Sequence, residues 1–577
     1  MLKILRYLKP YVGYIILAIV LLFAQAACDL ALPDYMSDII DNGILKKNNA
    51  FILETGGKML IVSFLGVVAA VLVGLIAAKT GASVAKKLRK DVFDKVSNFS
   101  NAEFDKFSTA SLITRTTNDI TQVQNLVTMM IKMMFYAPIM GVGGIVLALS
   151  KDVSMSWIIT LAVIILIGLI VVTSIVVLPK FKVVQSLVDK LNLVVRENLS
   201  GMLVIRAFNT GKKEEERFDN ANKDLMNVNL FVNRIMTFMM PAMMLLMNVT
   251  GVIVIWVGSY RVGDGLLEIG DMIAFMQYTM QIIMSFLFIS MMFIMIPRAA
   301  VSGKRISEVL ETEVLIKDKP DAGHMKACKG VVEFKDVSFS YPGADENVLH
   351  NINFTARPGE TTAFIGATGS GKSTLINLIP RFYDVTAGKI LIDGNNVKDI
   401  VGHELREHIG YVPQKGILFS GTIESNIKYG KKDATSTEVM KASSIAQATE
   451  FIEAKEEGYK SGISQGGTNV SGGQKQRLSI ARALAKTPQI YIFDDSFSAL
   501  DFKTDARLRA ELKNSVKEAT VLLVAQRIST IMNAEQIVVL DEGRIVGKGT
   551  HEQLLKTCEV YKEIALSQLS KEELGNE

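Results

Sequence analysis

Two segments of this chain carry the residue types that hold phosphate groups, and the first is a glycine-rich loop. Residues 366–373, GATGSGKS, match the spacing G-x-x-x-x-G-K-[ST] between an apolar β-type run and a helix-forming run, and Thr374 follows directly. In such a loop, backbone N–H groups close around phosphates, the lysine neutralises the β and γ phosphates, and the serine hydroxyl ligates Mg²⁺. The sequence therefore predicts a nucleoside triphosphate site made of Gly366, Ala367, Thr368, Gly369, Ser370, Gly371, Lys372, Ser373 and Thr374.

The second segment is a Ser-Gly-Gly-Gln helix start about 100 residues further along the chain, at residues 471–474. A helix start presents unpaired N–H groups and the positive end of the helix dipole, and both favour an anion. Two phosphate-binding elements in one small domain are redundant unless two copies pair head to tail. We therefore expect a partner chain's nucleotide to contact Ser471, Gly472, Gly473 and Gln474.

Polar residues at the ends of predicted strands complete the first site. The run 489–495, QIYIFDD, predicts a buried strand that ends in Asp494, a carboxylate suited to organising Mg²⁺. Gln414 lies in a polar turn after another apolar run, from which it could reach the metal or an attacking water. Tyr341, at the end of the alternating run 331–342, could stack on an adenine ring, although an aromatic residue at a strand end is common.

The composition of the chain is uneven along its length. Of its 577 residues, 49% are hydrophobic and 21% are charged, but the long apolar runs lie in residues 1–300, whereas 330–577 have the composition of a soluble domain. A net charge of +5 on a chain of this size gives little support for nucleic-acid binding. The three cysteines, Cys28, Cys328 and Cys558, have no metal-ligand spacing and form no disulfide framework. We therefore expect a membrane part followed by a cytosolic part.

Six apolar runs are long enough to cross a membrane, which needs roughly 20 residues. The loops 79–130 and 179–235 are rich in lysine and arginine, which predicts that both are cytosolic, together with both termini. The N-terminal residues 1–10 are basic and amphipathic, and they predict a helix lying on the cytosolic membrane face. The predicted spans are residues 12–32, 57–78, 131–150, 154–178, 236–258 and 272–297.

The two basic loops have polar, turn-like centres at residues 111–122 and 196–209. Apolar residues so far from the bilayer, such as Leu203 and Phe208, favour docking on another domain over a solvated helix surface. Spans two to five are expected to continue as helices into these loops.

Polar residues are few inside the spans, and Asp29 is the most costly of them. An intramembrane carboxylate usually faces water or the protein interior, so Asp29, with Gln277 and Gln281, forms a candidate substrate cavity for a cationic compound. Alternatively, Asp29 lies near the outer end of its span, where hydration is sufficient. Methionine recurs along the last two spans, either as an adaptable surface for hydrophobic compounds or as ordinary apolar filler.

Taken together, these motifs resemble an ATP-binding cassette (ABC) transporter of the exporter type. The resemblance rests on GATGSGKST, Gln414, SGGQ, IYIFDD (490–495) and SALD (498–501), and it covers essentially the whole chain. It implies an α-helical membrane domain with six transmembrane helices, followed by an α/β P-loop nucleotide-binding domain. The expected division is a transmembrane domain at 1–300 with coupling helices near 111–122 and 196–209, a linker at 301–330 and a cassette at 331–577. It also implies ATP and Mg²⁺ as cofactors and a dimer in which Asp501 lies at the interface.

Three positions depart from the family pattern. Asp495 occupies the position of the catalytic glutamate, and its carboxylate is held one C–C bond shorter, roughly 1.5 Å. Gln526 occupies the position of the switch histidine and cannot carry a positive charge. Gln465 stands where exporters often carry glutamate. Because the signature at 471–474 is intact, the pattern resembles the degenerate-site subunit of bacterial heterodimeric multidrug exporters.

The sequence thus predicts one subunit of an ATP-driven exporter of the cell membrane, moving hydrophobic or amphipathic compounds. Its partner would be a second half-transporter that carries the glutamate and histidine. In this interpretation Lys372, Asp494 and Asp495 hold ATP that is hydrolysed slowly, with Ser373, Gln414 and Asp494 around Mg²⁺. Two alternatives stay open: a homodimeric exporter or lipid flippase with slow ATPase activity, and a non-transporting regulator that senses ATP.

Overall fold

The computed structural model describes residues 6–325 and 327–569. The chain forms two compact units. The membrane unit comprises Met1–Ser97 and Ala110–Thr312, and the cassette unit comprises Asn98–Thr109 and Glu313–Glu577. Of the predicted N-terminal interfacial helix, residues 1–5 lie outside the described residues, and Arg6–Tyr11 form a short helical turn.

Within the described residues, six helical segments are long and apolar enough to cross a membrane, which agrees with the predicted number. These segments are mostly α-helical. Short π-helical stretches occur at Ile39–Ile44 and Arg115–Asp119. The helices up to residue 311 are α1 (Val12–Asp38), α2 (Asn49–Ser97), α3 (Asn101–Lys106), α4 (Thr109–Thr114), α5 (Ile120–Met133), α6 (Tyr136–Lys151), α7 (Ser156–Ser200), α8 (Met202–Ala207), α9 (Gly211–Gly263) and α10 (Ile269–Glu311).

Several of these helices are much longer than a bilayer requires. The 49 residues of α2 span roughly 70 Å at 1.5 Å per residue, more than twice the hydrocarbon thickness. Beyond the apolar run, the helix keeps a buried stripe of Val84, Leu88 and Val92, each with 0% exposure. Their spacing of four residues places them on one face, so packing continues where the membrane ends.

The predicted coupling segment at 111–122 is helical in the structure and lies in the membrane unit. Its centre was predicted to be polar and turn-like, but Thr114, Thr116 and Thr117 donate hydrogen bonds to the carbonyl groups four residues earlier and so remain within the helix. The loop segment that belongs to the cassette unit is Asn98–Thr109, about ten residues earlier in the chain. The second predicted segment, 196–209, contains the short helix α8 between two long helices.

The predicted linker is partly helical, because α10 continues to Glu311 and the cassette unit begins at Glu313. The strands of that unit are β1 (Val332–Phe339), β2 (Leu349–Ala356), β3 (Thr361–Ile365), β4 (Ala387–Ile392), β5 (Asn395–Asn396), β6 (Ile409–Val412), β7 (Gly421–Thr422), β8 (Gly462–Ile463), β9 (Ile490–Asp494), β10 (Thr520–Val524), β11 (Gln536–Asp541) and β12 (Arg544–Gly549). Its helices after α10 are α11 (Lys372–Asn377), α12 (Gly402–Glu407), α13 (Ile423–Lys428), α14 (Ser436–Ile445), α15 (Thr449–Glu453), α16 (Gly472–Ala485), α17 (Phe502–Ser515), α18 (Ile528–Ile531), α19 (His551–Thr557) and α20 (Glu559–Gln568).

The central sheet of the cassette unit has the strand order β12-β11-β3-β10-β9-β6. Strands β11, β3, β10, β9 and β6 pair in parallel, and β12 pairs antiparallel at the edge. A second, antiparallel sheet has the order β2-β1-β4-β5. Because the central strands are parallel, their carboxyl ends meet along one edge of the sheet, where ligands bind in α/β folds.

Candidate functional site

The glycine-rich loop joins the buried strand β3 to the start of α11. Gly366 and Gly371 have φ angles of 154° and 92°. A Cβ atom would collide with the Leu540 carbonyl at the first position and with the Leu349 side chain at the second, so both positions require glycine. The Lys372 Nζ donates hydrogen bonds to the carbonyl oxygens of Gly366 (2.9 Å) and Ala367 (2.7 Å), and its cation therefore lies inside the loop.

Two of the three predicted magnesium ligands, Ser373 and Asp494, are in direct contact, whereas the third, Gln414, donates to Asp495. Val524 of β10 lies opposite Phe364 of β3 and Asp494 of β9, which brings these three strand ends together. The Ser373 hydroxyl donates a 2.8 Å hydrogen bond to Oδ1 of Asp494. A hydroxyl and a carboxylate are the hard oxygen donors that Mg²⁺ prefers, so the residues present fit this ion. When bound, it would neutralise phosphate charge.

Burial changes the protonation equilibria of the charged groups at this edge. Asp494 and Asp495 are buried, with 5% and 7% of their surface exposed to solvent. Burial raises the pKa of both carboxyl groups. Burial also lowers the pKa of Lys372, while the two aspartates oppose that change. Phosphate groups in this site would favour the charged form of Lys372, and a metal ion would favour the charged forms of the two carboxyl groups.

Asp495 has a positive φ of 46°, and two amide side chains hold its carboxylate. Oδ2 accepts a 2.7 Å hydrogen bond from Nε2 of Gln526 and a 3.3 Å hydrogen bond from Nε2 of Gln414. Gln526 follows β10 and Gln414 follows β6, and both of these strands end at the same edge of the sheet. The structure thus brings Gln414, Asp495 and Gln526 together, with one carboxylate oxygen shared by both amides.

Tyr341 lies beside the helix that follows the glycine-rich loop. Its hydroxyl is 2.8 Å from Oγ1 of Thr374, and either group can be the donor. The ring makes edge contacts with Phe339 and Tyr383, at centroid distances of 5.0 and 5.2 Å. Tyr341 is therefore anchored near the predicted phosphate site, as required of a residue that stacks on a base.

The Ser-Gly-Gly-Gln segment forms the start of α16. Ser471 is the N-cap: the Gln474 N–H donates to its hydroxyl (3.3 Å), and the Ser471 N–H donates to Oε1 of Gln474 (3.1 Å). A Cβ at Gly473 would be 3.2 Å from the carbonyl oxygen of Ala499, so the SALD turn packs against this helix start. Asp501 caps α17 by accepting from the Thr504 N–H at 2.9 Å.

In the membrane unit, Asp29 and Gln281 lie together. Gln281 donates a 3.2 Å hydrogen bond to the Asp29 carbonyl, and Tyr136 donates a 2.7 Å hydrogen bond to Oδ2 of Asp29. Helix α1 continues for nine residues beyond Asp29, about 13 Å, so this carboxylate is not at the end of its helix. Gln277 lies one turn from Gln281 and is half-buried.

Some residues with important contacts were missed by the sequence analysis. Tyr136 is one, although a tyrosine inside a span needs a polar partner and could have been paired with Asp29. In the cassette unit, Tyr383 donates to Asp105, and the buried Glu103 accepts from the Leu315 N–H at 3.1 Å. The Ser100–Glu103 capping box is visible in the sequence and marks the start of α3.

Comparisons with known proteins agree with this geometry. Residues 15–286 match the ABC transporter transmembrane region, and residues 349–498 match the ABC transporter domain. An uncharacterised ABC transporter ATP-binding protein of Mycobacterium tuberculosis is 40% identical over 568 residues, 98% of this chain and 97% of that protein. The chain belongs to the ABC transporter family. It is a half-transporter, with one membrane domain fused to one ATP-binding cassette.

Further relatives of this ABC transporter include YfiB of Bacillus subtilis, which is 41% identical over 99% of both chains. The ATP-dependent lipid A-core flippase of Syntrophus aciditrophicus is 30% identical over 100% of this chain and 95% of that protein. A bacterial Atm1-family ABC exporter solved with ATP bound superposes with a TM-score of 0.79 at 25% identity, covering 98% of this chain and 99% of that one. This half-transporter therefore has the exporter fold and is a multi-pass membrane protein whose cassette implies ATP-driven transport.

Proposed function

We propose that this ABC half-transporter is one subunit of a heterodimeric exporter and that its own ATP site is degenerate. The observation that carries the proposal is the environment of Asp495. Its Oδ2 accepts from both Gln414 and Gln526, at the position where an exporter would activate water. A shorter carboxylate held by two amides is poorly placed as a general base, and a misplacement of about 1 Å can cost ~100-fold in rate.

The intact signature helix start is a second observation that supports the same proposal. Ser471 and Gly472 are exposed, and the capping box between Ser471 and Gln474 is complete. A preserved anion-binding helix start beside an impaired base is the combination required if the signature serves a partner's working site. In the dimer, Lys372, Ser373 and Asp494 would hold this chain's own ATP with Mg²⁺, and Ser471–Gln474 would contact the partner's.

For transport, we infer that the cluster of Asp29, Tyr136 and Gln281 lines the path of a hydrophobic or amphipathic compound out of the cell. A carboxylate well inside the spans is costly unless it serves a ligand or a water-filled cavity. The buried Oε1 of Gln281 has no hydrogen-bond partner among the described residues, which leaves an acceptor free for a ligand. The methionines of the last two spans occupy two environments. Met276 and Met280 pack close to Gly251, whereas Met240 and Met244 are more than 60% exposed.

The movement of the cassettes would reach the spans through two loop segments. Asn98–Thr109 already packs in the cassette unit, through Glu103 and Asp105. In the second segment, Leu203 is 82% exposed and Phe208 is 76% exposed, a surface suited to docking on the partner's cassette. The cassette and both termini would then be cytosolic, in agreement with the basic loops.

The experiment compares the purified chain alone with the chain assembled with a second half-transporter that carries the glutamate and histidine. We expect near-background ATP hydrolysis by the chain alone, and hydrolysis with ATP-dependent substrate movement by the complex in vesicles. Full ATPase activity of the chain alone would instead establish the homodimer. An absence of ATP-dependent movement with any partner would favour the regulator.

The similarity to a lipid flippase favours a second candidate, in which the transported compound is a lipid. The same vesicles distinguish it, because a fluorescent phospholipid analogue would change leaflets only with ATP. Lipid movement without movement of amphipathic dyes would replace the multidrug proposal by a flippase, leaving the assignment of the degenerate site unaffected.

A further inference from the structure

The outward face of α2, just beyond the predicted second span, carries a row of lysines. Lys79, Lys86 and Lys90 are exposed and are separated by seven and four residues. At 3.6 residues per turn, this spacing places the three within about 40° of one another around the helix, along about 16 Å of its length. The opposite face is the buried stripe of Val84, Leu88 and Val92, so this lysine row points away from the core of the membrane unit.

The turn at Arg6–Tyr11 lies alongside this part of α2. The Tyr7 hydroxyl donates a 2.8 Å hydrogen bond to Oδ2 of Asp91, and the Lys87 Nζ lies 5.7 Å from the centre of the Tyr7 ring. The turn adds two further exposed basic side chains, Arg6 and Lys9. The lysine row is therefore one part of a larger basic surface shared by two elements.

Tyrosines place this surface at a membrane boundary. The Lys79 Nζ lies 5.8 Å from the centre of the Tyr14 ring, which is 48% exposed. Tyrosines collect at membrane–water interfaces, where the ring contacts hydrocarbon and the hydroxyl contacts water. Tyr7, Tyr11 and Tyr14 thus mark the headgroup level next to the basic residues.

Two acidic residues, Asp91 and Asp94, lie on the same stretch of α2, and each already has an interaction partner. Asp91 is held by Tyr7. Throughout residues 6–325 and 327–569, Lys79, Lys86 and Lys90 form no ion pair with a carboxylate. Orientation of the protein in the membrane requires a sufficient number of basic residues at this end of the spans. It does not require that three of them share one exposed face beside tyrosines.

We propose that this surface, Arg6, Lys9, Lys79, Lys86 and Lys90, binds the headgroup of an anionic phospholipid. Its charge complements a phosphate diester, and tyrosines such as those beside it collect at membrane–water interfaces. Basic surfaces beside membrane helices are attracted to anionic lipids by roughly fivefold in affinity for each lysine or arginine. A bound headgroup would also hold the Arg6–Tyr11 turn against α2. The site goes beyond the proposed export function and does not depend on it.

The test uses the purified full-length chain in detergent, stripped of lipid and titrated with phosphatidylglycerol or phosphatidylcholine of the same acyl chains, with bound lipids counted by native mass spectrometry. We expect at least tenfold tighter binding of phosphatidylglycerol, weakening as salt increases. The triple variant Lys79→Gln, Lys86→Gln, Lys90→Gln should bind phosphatidylglycerol about 100-fold more weakly and lose this preference. A matched variant that removes three exposed cassette lysines, Lys432→Gln, Lys441→Gln and Lys548→Gln, should retain it.

Equal binding of phosphatidylglycerol by the two triple variants, or equal binding of both lipids by the parent, would overturn the proposal. If sn-glycerol 3-phosphate displaces the lipid at the same concentration, the surface recognises a soluble phosphate rather than a phospholipid, which also overturns it. Should the triple variant not fold, the single change Lys86→Gln is measured instead. We expect it to weaken phosphatidylglycerol binding by about fivefold and to leave phosphatidylcholine binding unchanged.

Discussion

The two phosphate-binding elements of the cassette differ in what already occupies their polar groups. At the start of α16, Ser471 and Gln474 form only a local capping box, and the side of the helix start that an anion would approach is exposed. At the strand edge, Asp495 already accepts hydrogen bonds from two amides. The first element is ready for a ligand, whereas the second is satisfied internally, which is why we assign them to different ATP molecules.

The largest effect is expected from the first element. Replacing Ser471 with alanine should reduce ATP hydrolysis by the heterodimer by ~100-fold, because a donor to the partner's γ-phosphate is lost. The control is Thr435→Ala, which removes the N-cap of α14 with the same type of capping box and should cost only about 1 kcal/mol of stability. The measurement is steady-state ATPase activity at matched amounts of folded complex. Equal rates for the two variants would contradict a role of Ser471 at the partner's nucleotide.

The second element should respond in the opposite direction. Asp495→Glu combined with Gln526→His should raise ATP hydrolysis by the complex by about tenfold, because the carboxylate extends toward the water and a chargeable group replaces an amide. The measurement is again steady-state ATPase activity. As a control, Asp495→Asn with Gln526→His removes the carboxylate and should give no gain. An unchanged rate in the Glu/His variant would argue that Gln465, and not these two positions, limits the site.

A smaller effect concerns pH and the metal ion. Because burial raises the pKa of Asp494, its carboxyl group takes up a proton at a higher pH than an ordinary aspartate does, and a protonated carboxyl group does not ligate Mg²⁺. The Mg²⁺-dependent part of ATP affinity should therefore be weaker at pH 5 than at pH 7. Titration with a fluorescent ATP analogue, with and without Mg²⁺, measures this change. Asp494→Asn should bind weakly at both pH values, and the proposed ligand is wrong if that variant keeps the full pH dependence.

The smallest effect is expected at Tyr341. Tyr341→Phe keeps the ring but removes the hydroxyl that contacts Thr374, and one such hydrogen bond contributes about 0.5–1.5 kcal/mol. ATP affinity should fall by about threefold. Tyr383→Phe is the matched control, because its hydroxyl donates to Asp105 and not to the loop region. The role of Tyr341 would be refuted if both changes weakened ATP binding equally in the same titration.

Much of the fold could be predicted from the sequence, because the deciding signals are local. The spans follow from apolar runs of sufficient length, and the glycine-rich loop follows from a fixed spacing in which Gly366 and Gly371 have backbone conformations open to glycine. The cap at Ser471 likewise depends on residues three apart. The segment 111–122 was harder, since its polar residues indicated a turn-like centre although threonine hydroxyls there bond within the helix.

What the sequence determined by itself is the family, the number of spans and the glycine-rich loop, because each depends on composition or on short spacings along the chain. Only the tertiary structure decided which side chains meet across long separations. Gln526 and Asp495 are 31 residues apart, Gln414 and Asp495 are 81 apart, and Tyr136 and Asp29 are 107 apart. Those contacts exist because parallel strands end at one edge of the sheet and neighbouring helices pack side by side, and no local pattern encodes them.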